Sequence, residues 1–304
     1  MTPQEVLAFP PRLLSQAQRK HFFKQGYVQV EDAIPSEWLA RLRQRLALLI
    51  EQSRSVSVSN LTYILAPGHS AANPRLRRIE PLAQNDPLIW SYLTELEADI
   101  ASDLLGPDVG YWATNINTKW SGGGEPISWH QDIAFDPHTN FGYLQLLGYL
   151  DDVGLEQGPL MVVPGSHRGP IFEHYDSDDR WTGSLAEWDM EVAGVSQAVS
   201  LPGKAGSLIA IHCRTVHGSQ PNNSGRMRPV LINAYHAADS FPYGPQITMG
   251  GGKNKRSGEI IRGRPAIYAH HQAVRWRMPP DFSGGYTSIH EYQQKEIRTA
   301  NTAM

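Results

Sequence analysis

The stretch "ISWHQDIAFDP", residues 127–137, sets a histidine and an aspartate two positions apart among apolar neighbours. In an extended strand residues i and i+2 face the same side, so His130 and Asp132 offer an imidazole and a carboxylate to one point in space. Two such donors hold a metal weakly. One further imidazole completes a two-histidine-one-carboxylate set, which leaves several coordination positions open on one face of a redox-active iron(II). A second H-x-D triplet, His174-Tyr-Asp176, stands beside the acidic run "DSDDR", where solvation accounts for it, so the first triplet is the candidate.

The third ligand candidate is His217, in "CRTVHGSQPNNSGRMRPVLINAY". It closes one short β run, a Gly/Pro/Asn turn follows, and Arg228 opens the next run. Antiparallel strands joined by such a turn can bring a histidine and an arginine to the same interior. A buried guanidinium is unfavourable unless it meets an anion, and a carboxylate gripped in bidentate fashion satisfies it.

In combination, "WHQD", "LDDVGLEQGPLMVVPGSHRG" and "HGSQPNNSGRMRP" resemble the phytanoyl-CoA dioxygenase family of iron(II)- and 2-oxoglutarate-dependent oxygenases. The resemblance spans roughly residues 107–240, plus the helical opening with its "GYVQVEDAIP" strand. It implies that His130, Asp132 and His217 are the iron ligands and the catalytic set. It assigns Ser219 and Arg228 to the distal carboxylate of 2-oxoglutarate. Iron(II), 2-oxoglutarate and dioxygen are then required, succinate and carbon dioxide are released, and an unactivated C–H bond of a small organic substrate is hydroxylated. Halogenating relatives carry a small residue in place of the carboxylate, so Asp132 argues against halogenation. The sequence departs from the family where Glu156-Gln157-Gly158 replaces the usual Glu-Asn-Gly. It departs again at Gln145, where many relatives have an apolar or aromatic residue.

Gln145 is a candidate polar contact to 2-oxoglutarate or substrate, with an outward-facing strand residue as the alternative, and Asn117, on the strand before the ligand strand, is a candidate contact to the oxo-acid. Lys119 shares the parity of Asn117 but reads as a solvated strand-end lysine. Arg226 competes with Arg228, and His212 with His217. The family's offset of eleven residues, and the absence of a serine-turn-arginine after His212, favour Arg228 and His217. For the substrate, Trp112, Trp129 and Phe135, with Trp120 and His138, are candidate pocket walls, unless they are core. Arg78, with Arg75 and Arg77 in "NPRLRRIEPL", is a candidate for an anionic group, unless that loop is solvated.

Elements must hold these residues in place. Residues 15–25, 36–52 and 87–105 repeat apolar positions at three-to-four spacing and read as helices, the first two opening on serine caps. From residue 107 the pattern changes to short β-branched and aromatic runs broken by Gly, Pro, Asn and Asp. That predicts a mainly β double-stranded β-helix, a jelly-roll or cupin-like barrel with flanking helices, rather than an alternating α/β fold. The expected organisation is a single domain over 1–304. Helical support runs to about 106, the barrel spans about 107–240, and a C-terminal extension follows from about 240. Residues 169–197 and the extension are too polar and irregular for core strands and read as covers over the barrel mouth.

Composition narrows the function classes. The chain has 304 residues, 40% hydrophobic and 19% charged, which suits a folded protein with a sizeable core. A net charge of −3 gives no field to attract phosphate backbones, so nucleic acid is not an expected partner. One cysteine, Cys213, rules out an intrachain disulfide and fits a reducing compartment. No run approaches the length of a membrane span and the N-terminus has no basic leader, so a soluble cytoplasmic protein acting on a small molecule is expected. Two other readings share these residues: a metal-dependent hydrolase or isomerase, and a non-catalytic 2-oxoglutarate or small-molecule sensor.

Overall fold

The computed structural model describes residues 1–121, 126–244 and 254–281. Parts of the glycine-rich stretch 248–259 and of the C-terminal extension lie outside these.

Five α-helices precede the barrel: α1 (Pro3–Ala8), α2 (Gln16–Gln25), α3 (Ser36–Gln52), α4 (Pro87–Tyr92) and α5 (Ala98–Leu105). Ser15 and Gln18 cap α2 reciprocally, and Gly26 ends it in the left-handed region. A side chain at Gly26 would also run into His167 and Thr215. The serine cap expected for α3 is not formed. Pro35 is the capping residue and gives no side-chain bond, and Ser36 is already inside the helix. The helix expected over 87–105 is interrupted by a π turn at Leu93–Glu97, which brings Glu97 into the core.

Among the described residues twelve strands, three of them interleaved with the helices, form two antiparallel sheets. The larger runs β1-β9-β6-β11-β4-β3-β2, built from β1 (Tyr27–Val30), β2 (Tyr63–Leu65), β3 (Leu76–Ile79), β4 (Val109–Lys119), β6 (Tyr143–Tyr149), β9 (Leu208–His212) and β11 (Arg228–Ala237), with β12 (Ile260–Arg262) also paired to β4. The smaller runs β5-β10-β7-β8, from β5 (Ile127–His130), β7 (Leu160–Val162), β8 (Val199–Leu201) and β10 (His217–Ser219). The sheets do not close into a continuous barrel. The helices cover the outer face of the large sheet, where Leu42, Leu46, Ile89, Leu104 and Leu231 share one core. Between the sheets Leu147, Tyr149, Leu160, Val162 and Val230 form a second core. β4 and β11 are therefore buried on both faces, and their inward rows of side chains reach the space between the layers.

Residues 169–197 pack on the ligand strand. Phe172 N–H donates to Gln131 Oε1 at 2.9 Å and Leu185 N–H to the Trp129 carbonyl at 2.7 Å. The chain after β12 runs past the 137–141 and 173–181 loops. Asn140 Nδ2 donates to the His270 carbonyl at 3.0 Å, and Arg277 pairs with Glu173 at 3.5 Å. No helix among the described residues is long and apolar enough to cross a membrane.

Candidate active site

His130, the last residue of β5, sits directly across the ladder from His217, the first of β10. The strand ends there, which corrects the expectation that H-x-D lies on one strand. Gln131 stays extended (φ −124°, ψ 132°) and Asp132 opens a 3-10 turn, Asp132–Ala134. Because the chain stays extended through Gln131, the carboxylate still returns to the side of His130. Gln131 points the other way and is held by the Pro170 and Arg214 carbonyls, at 3.1 and 2.8 Å.

The donor atoms of His130, Asp132 and His217 lie within 4.8 Å of one another, the one such His/Cys/Asp/Glu group among the described residues. Nε2 of His130 is 3.9 Å and Nε2 of His217 3.6 Å from Asp132 Oδ1. Each imidazole donates Nδ1–H to a backbone carbonyl, His130 to Ser128 at 2.8 Å and His217 to Thr215 at 2.9 Å. Those bonds fix the tautomer and leave both Nε2 lone pairs facing Asp132. Asp132 Oδ2 is buried without a hydrogen-bond partner. Burial raises the Asp132 carboxyl to about 6, against the pull of His217, and holds the His130 imidazole well below its usual range. Three converging lone-pair donors with one orphaned oxygen fit a divalent cation, which would satisfy all of them.

The triad opens on a cavity of about 180 Å³ between the sheets. Arg228 lines it and is fully buried. One guanidinium nitrogen donates to the Gly158 carbonyl, Nε has no partner, and no carboxylate pairs with it among the described residues. Lys119 stands across the ladder from Arg228 and is also buried, which corrects its reading as a solvated strand end. Its Nζ donates to Ser219 Oγ at 2.7 Å and to the Gln220 carbonyl at 2.6 Å. Burial, helped by Arg228, lowers the Lys119 ammonium to about 6. Two cations in one desolvated pole are costly unless an anion joins them. The parity that Lys119 shares with Asn117 was its one signal in the sequence, and the register of β4 on β11 turns that parity inward.

Of the other candidates, Ser219, Asn117, Gln145, Phe135 and Arg78 line the cavity; Trp129 and Trp112 do not. Trp129 alternates with His130 and packs against Val163, Phe172 and Leu185. Trp112 is core, edge-on to His138 and His236. Arg78 belongs to β3 rather than to a solvated loop, paired with Glu80 at 2.6 Å and donating to Asn115 at 2.9 Å. Arg226 reaches Gln157 instead of the cavity, at 3.3 Å. His212 lies away from the cavity, near Phe22 and His167. His174 is buried, not solvated, and accepts the Gln131 N–H at 3.0 Å. Sequence reasoning did not single out Asp136 and Asn115, which also line the wall.

Known proteins resemble this chain in sequence and fold. The chain is 31% identical over 232 residues to a probable alpha-ketoglutarate-dependent hypophosphite dioxygenase of Stutzerimonas stutzeri, covering 74% of this chain and 79% of that one. It is 27% identical to the L-proline trans-4-hydroxylase of Streptomyces griseoviridis, over 73% and 86% of the two chains. Among solved structures, EctD from S. alaskensis with 2-oxoglutarate and 5-hydroxyectoine has the same fold, with a TM-score of 0.62 at 24% identity over 77% of this chain and 80% of that one. The family model described as Phytanoyl-CoA dioxygenase (PhyH) matches residues 22–230, a span that runs from α2 into β11 and takes in the triad and both cations, and the chain belongs to that family.

Proposed function

We propose that this chain is an iron(II)- and 2-oxoglutarate-dependent dioxygenase that hydroxylates an unactivated C–H bond of a small organic molecule. The observation that carries the reading is one cavity that joins a two-histidine-one-carboxylate triad to the buried Arg228, with the buried Lys119 amine reaching Ser219 on its wall and no carboxylate pairing with either basic group among the described residues. His130, Asp132 and His217 would hold iron(II). When bound, the iron supplies activation of dioxygen coupled to oxidation of 2-oxoglutarate to succinate and carbon dioxide. Arg228, Lys119 and Ser219 grip the distal carboxylate, with Asn117 and Gln145 as further polar contacts. The apolar wall of Leu147, Tyr149, Leu160 and Val230 keeps water from that pole. The relatives named above act on small molecules, hypophosphite and L-proline.

The whole chain is read as one catalytic domain over 1–304. Residues 169–197 and the described part of the extension, 254–281, serve as covers, and the single buried thiol, Cys213, suits a reducing cytoplasm. A hydrolase or isomerase would leave the buried cations without an anion, and a sensor would bind 2-oxoglutarate without turnover. Anaerobic addition of iron(II), then oxygen, with succinate measured across a metabolite panel, separates the three. Asp132→Ala is expected to abolish iron-dependent succinate release. Arg228→Ala is expected to raise the 2-oxoglutarate KM by about 10- to 100-fold; an unchanged KM would move the anion site to Arg226.

A further inference from the structure

Away from Arg228 and Ser219 the cavity wall changes character. Arg78 on β3, Asn115 on β4, Gln145 on β6 and Asp136 in the turn after Asp132 all face it. Protein surrounds the Asp136 carboxyl, and burial raises its pKa, yet part of the residue stays open to the cavity. Tyr143 OH donates to it at 3.3 Å, long for such a bond, and the Trp112 indole lies alongside. No lysine or arginine pairs with it among the described residues. Arg78 pulls on the Asp136 charge from a distance, but its guanidinium is met by Glu80 at 2.6 Å, whose own charge opposes that pull. The fixed charges here, Arg78 positive with Glu80 and Asp136 negative, leave one carboxylate uncompensated.

This is the mirror image of the opposite pole, where the Arg228 guanidinium and the Lys119 amine await an anion. The turn fixes Asp136 relative to the metal ligand: the Phe135 and Asp136 N–H groups both donate to the Asp132 carbonyl, at 2.9 and 3.1 Å. A bare oxyanion would be repelled at this wall, and a neutral molecule would leave the carboxylate unmatched. We propose that Asp136 receives the ammonium group of the substrate, so that the substrate class is a small amine or amino acid. Its nitrogen lies against Asp136 and a nearby carbon faces the triad. Only the placement of the reacting carbon rests on the oxygenase reading; the ammonium contact does not.

The test is calorimetry on the full chain, first without iron or 2-oxoglutarate and then loaded with both under anaerobic conditions. A panel of small primary and secondary amines and amino acids, L-proline and pyrrolidine among them, is titrated beside nitrogen-free counterparts such as cyclopentanecarboxylate and cyclopentanol, and beside hypophosphite. Binding by at least one amine in either state, absent for its nitrogen-free counterpart and weakened about 10- to 100-fold by Asp136→Asn, supports the assignment. Asp136→Glu should recover part of the loss, and 2-oxoglutarate binding by the Asn variant should match the parent, which also reports that it is folded. The assignment is overturned if no amine binds in either state, if hypophosphite or the nitrogen-free partners bind as well, or if the Asn variant binds amines unchanged. Amine binding without succinate release would retain Asp136 and sink the oxygenase reading. Succinate release driven only by non-amines would do the reverse.

Discussion

Lys119 and Arg228 face each other across the β4–β11 ladder, and their chemistry is set by what is missing between them. With the Lys119 ammonium brought down to about 6 by burial and by Arg228, the amine is mostly neutral at pH 7.5 in the free protein. A dianion entering between the two restores the charged form. Binding of 2-oxoglutarate at pH 7.5 is therefore expected to take up about one proton, read as a dependence of binding enthalpy on the ionisation enthalpy of the buffer. Lys119→Met should remove that uptake; a variant that still takes up the proton would place the charge change elsewhere. At this scale the triad was legible because few residue types coordinate iron and their spacing restricts them further. Lys119 was not, since a sequence does not say whether a strand end reaches the rim or stays between two sheets. Trp129 and Trp112 misled for a related reason: an aromatic residue satisfies a core as well as a pocket.

The elements show how a short motif acts at a distance. The Glu156-Gln157-Gly158 turn contributes the Gly158 carbonyl that anchors Arg228, while Gln157 Oε1 accepts the Gly154 N–H at 2.9 Å. Gly158 has φ +60°, and a Cβ there would run into the carbonyls of Gln220 and Pro221. Gly158→Ala is thus expected to raise the 2-oxoglutarate KM several-fold, by displacing the arginine, and to lower the melting temperature. A fall in melting temperature with KM unchanged would show that the turn supports the fold alone. Strands and helices were readable from periodicity because β4, β6, β9 and β11 are long or apolar enough to carry a pattern. The interruption of 87–105 was not readable, since Glu97 inside an apolar rhythm looks like an ordinary exposed helical glutamate. β2 was too short to register and β3 both too short and too rich in arginine, which is why Arg78 was read as a loop residue.

At the scale of the whole molecule, Glu97 joins the helical layer to the large sheet. Its Oε2 accepts Asn233 Nδ2 at 2.7 Å and Tyr235 OH at 2.9 Å, with no cation paired to it among the described residues. Burial raises its carboxyl from 4.5 to about 7, although the bonds from Tyr235 and Asn233 and the neighbouring Tyr92 hydroxyl oppose this. Between those values the folded state holds a proton that the unfolded chain has released. Stability should therefore fall as pH rises through that window and stay low above it. Glu97→Gln is expected to flatten this part of the profile and to raise the melting temperature at pH 8 by a few degrees, about 1–3 kcal/mol. A variant less stable than the parent at pH 8 would refute the sign. The layered plan has one more consequence. The metal donors lie on and beside the small sheet, whereas Lys119 and Arg228 belong to the large one, so a cosubstrate touching both acts as a rivet through the sandwich. Iron(II) and 2-oxoglutarate together should then slow deuterium uptake in β5 and β10 by more than the sum of their separate effects, and strictly additive protection would mean that the two layers are already locked without them.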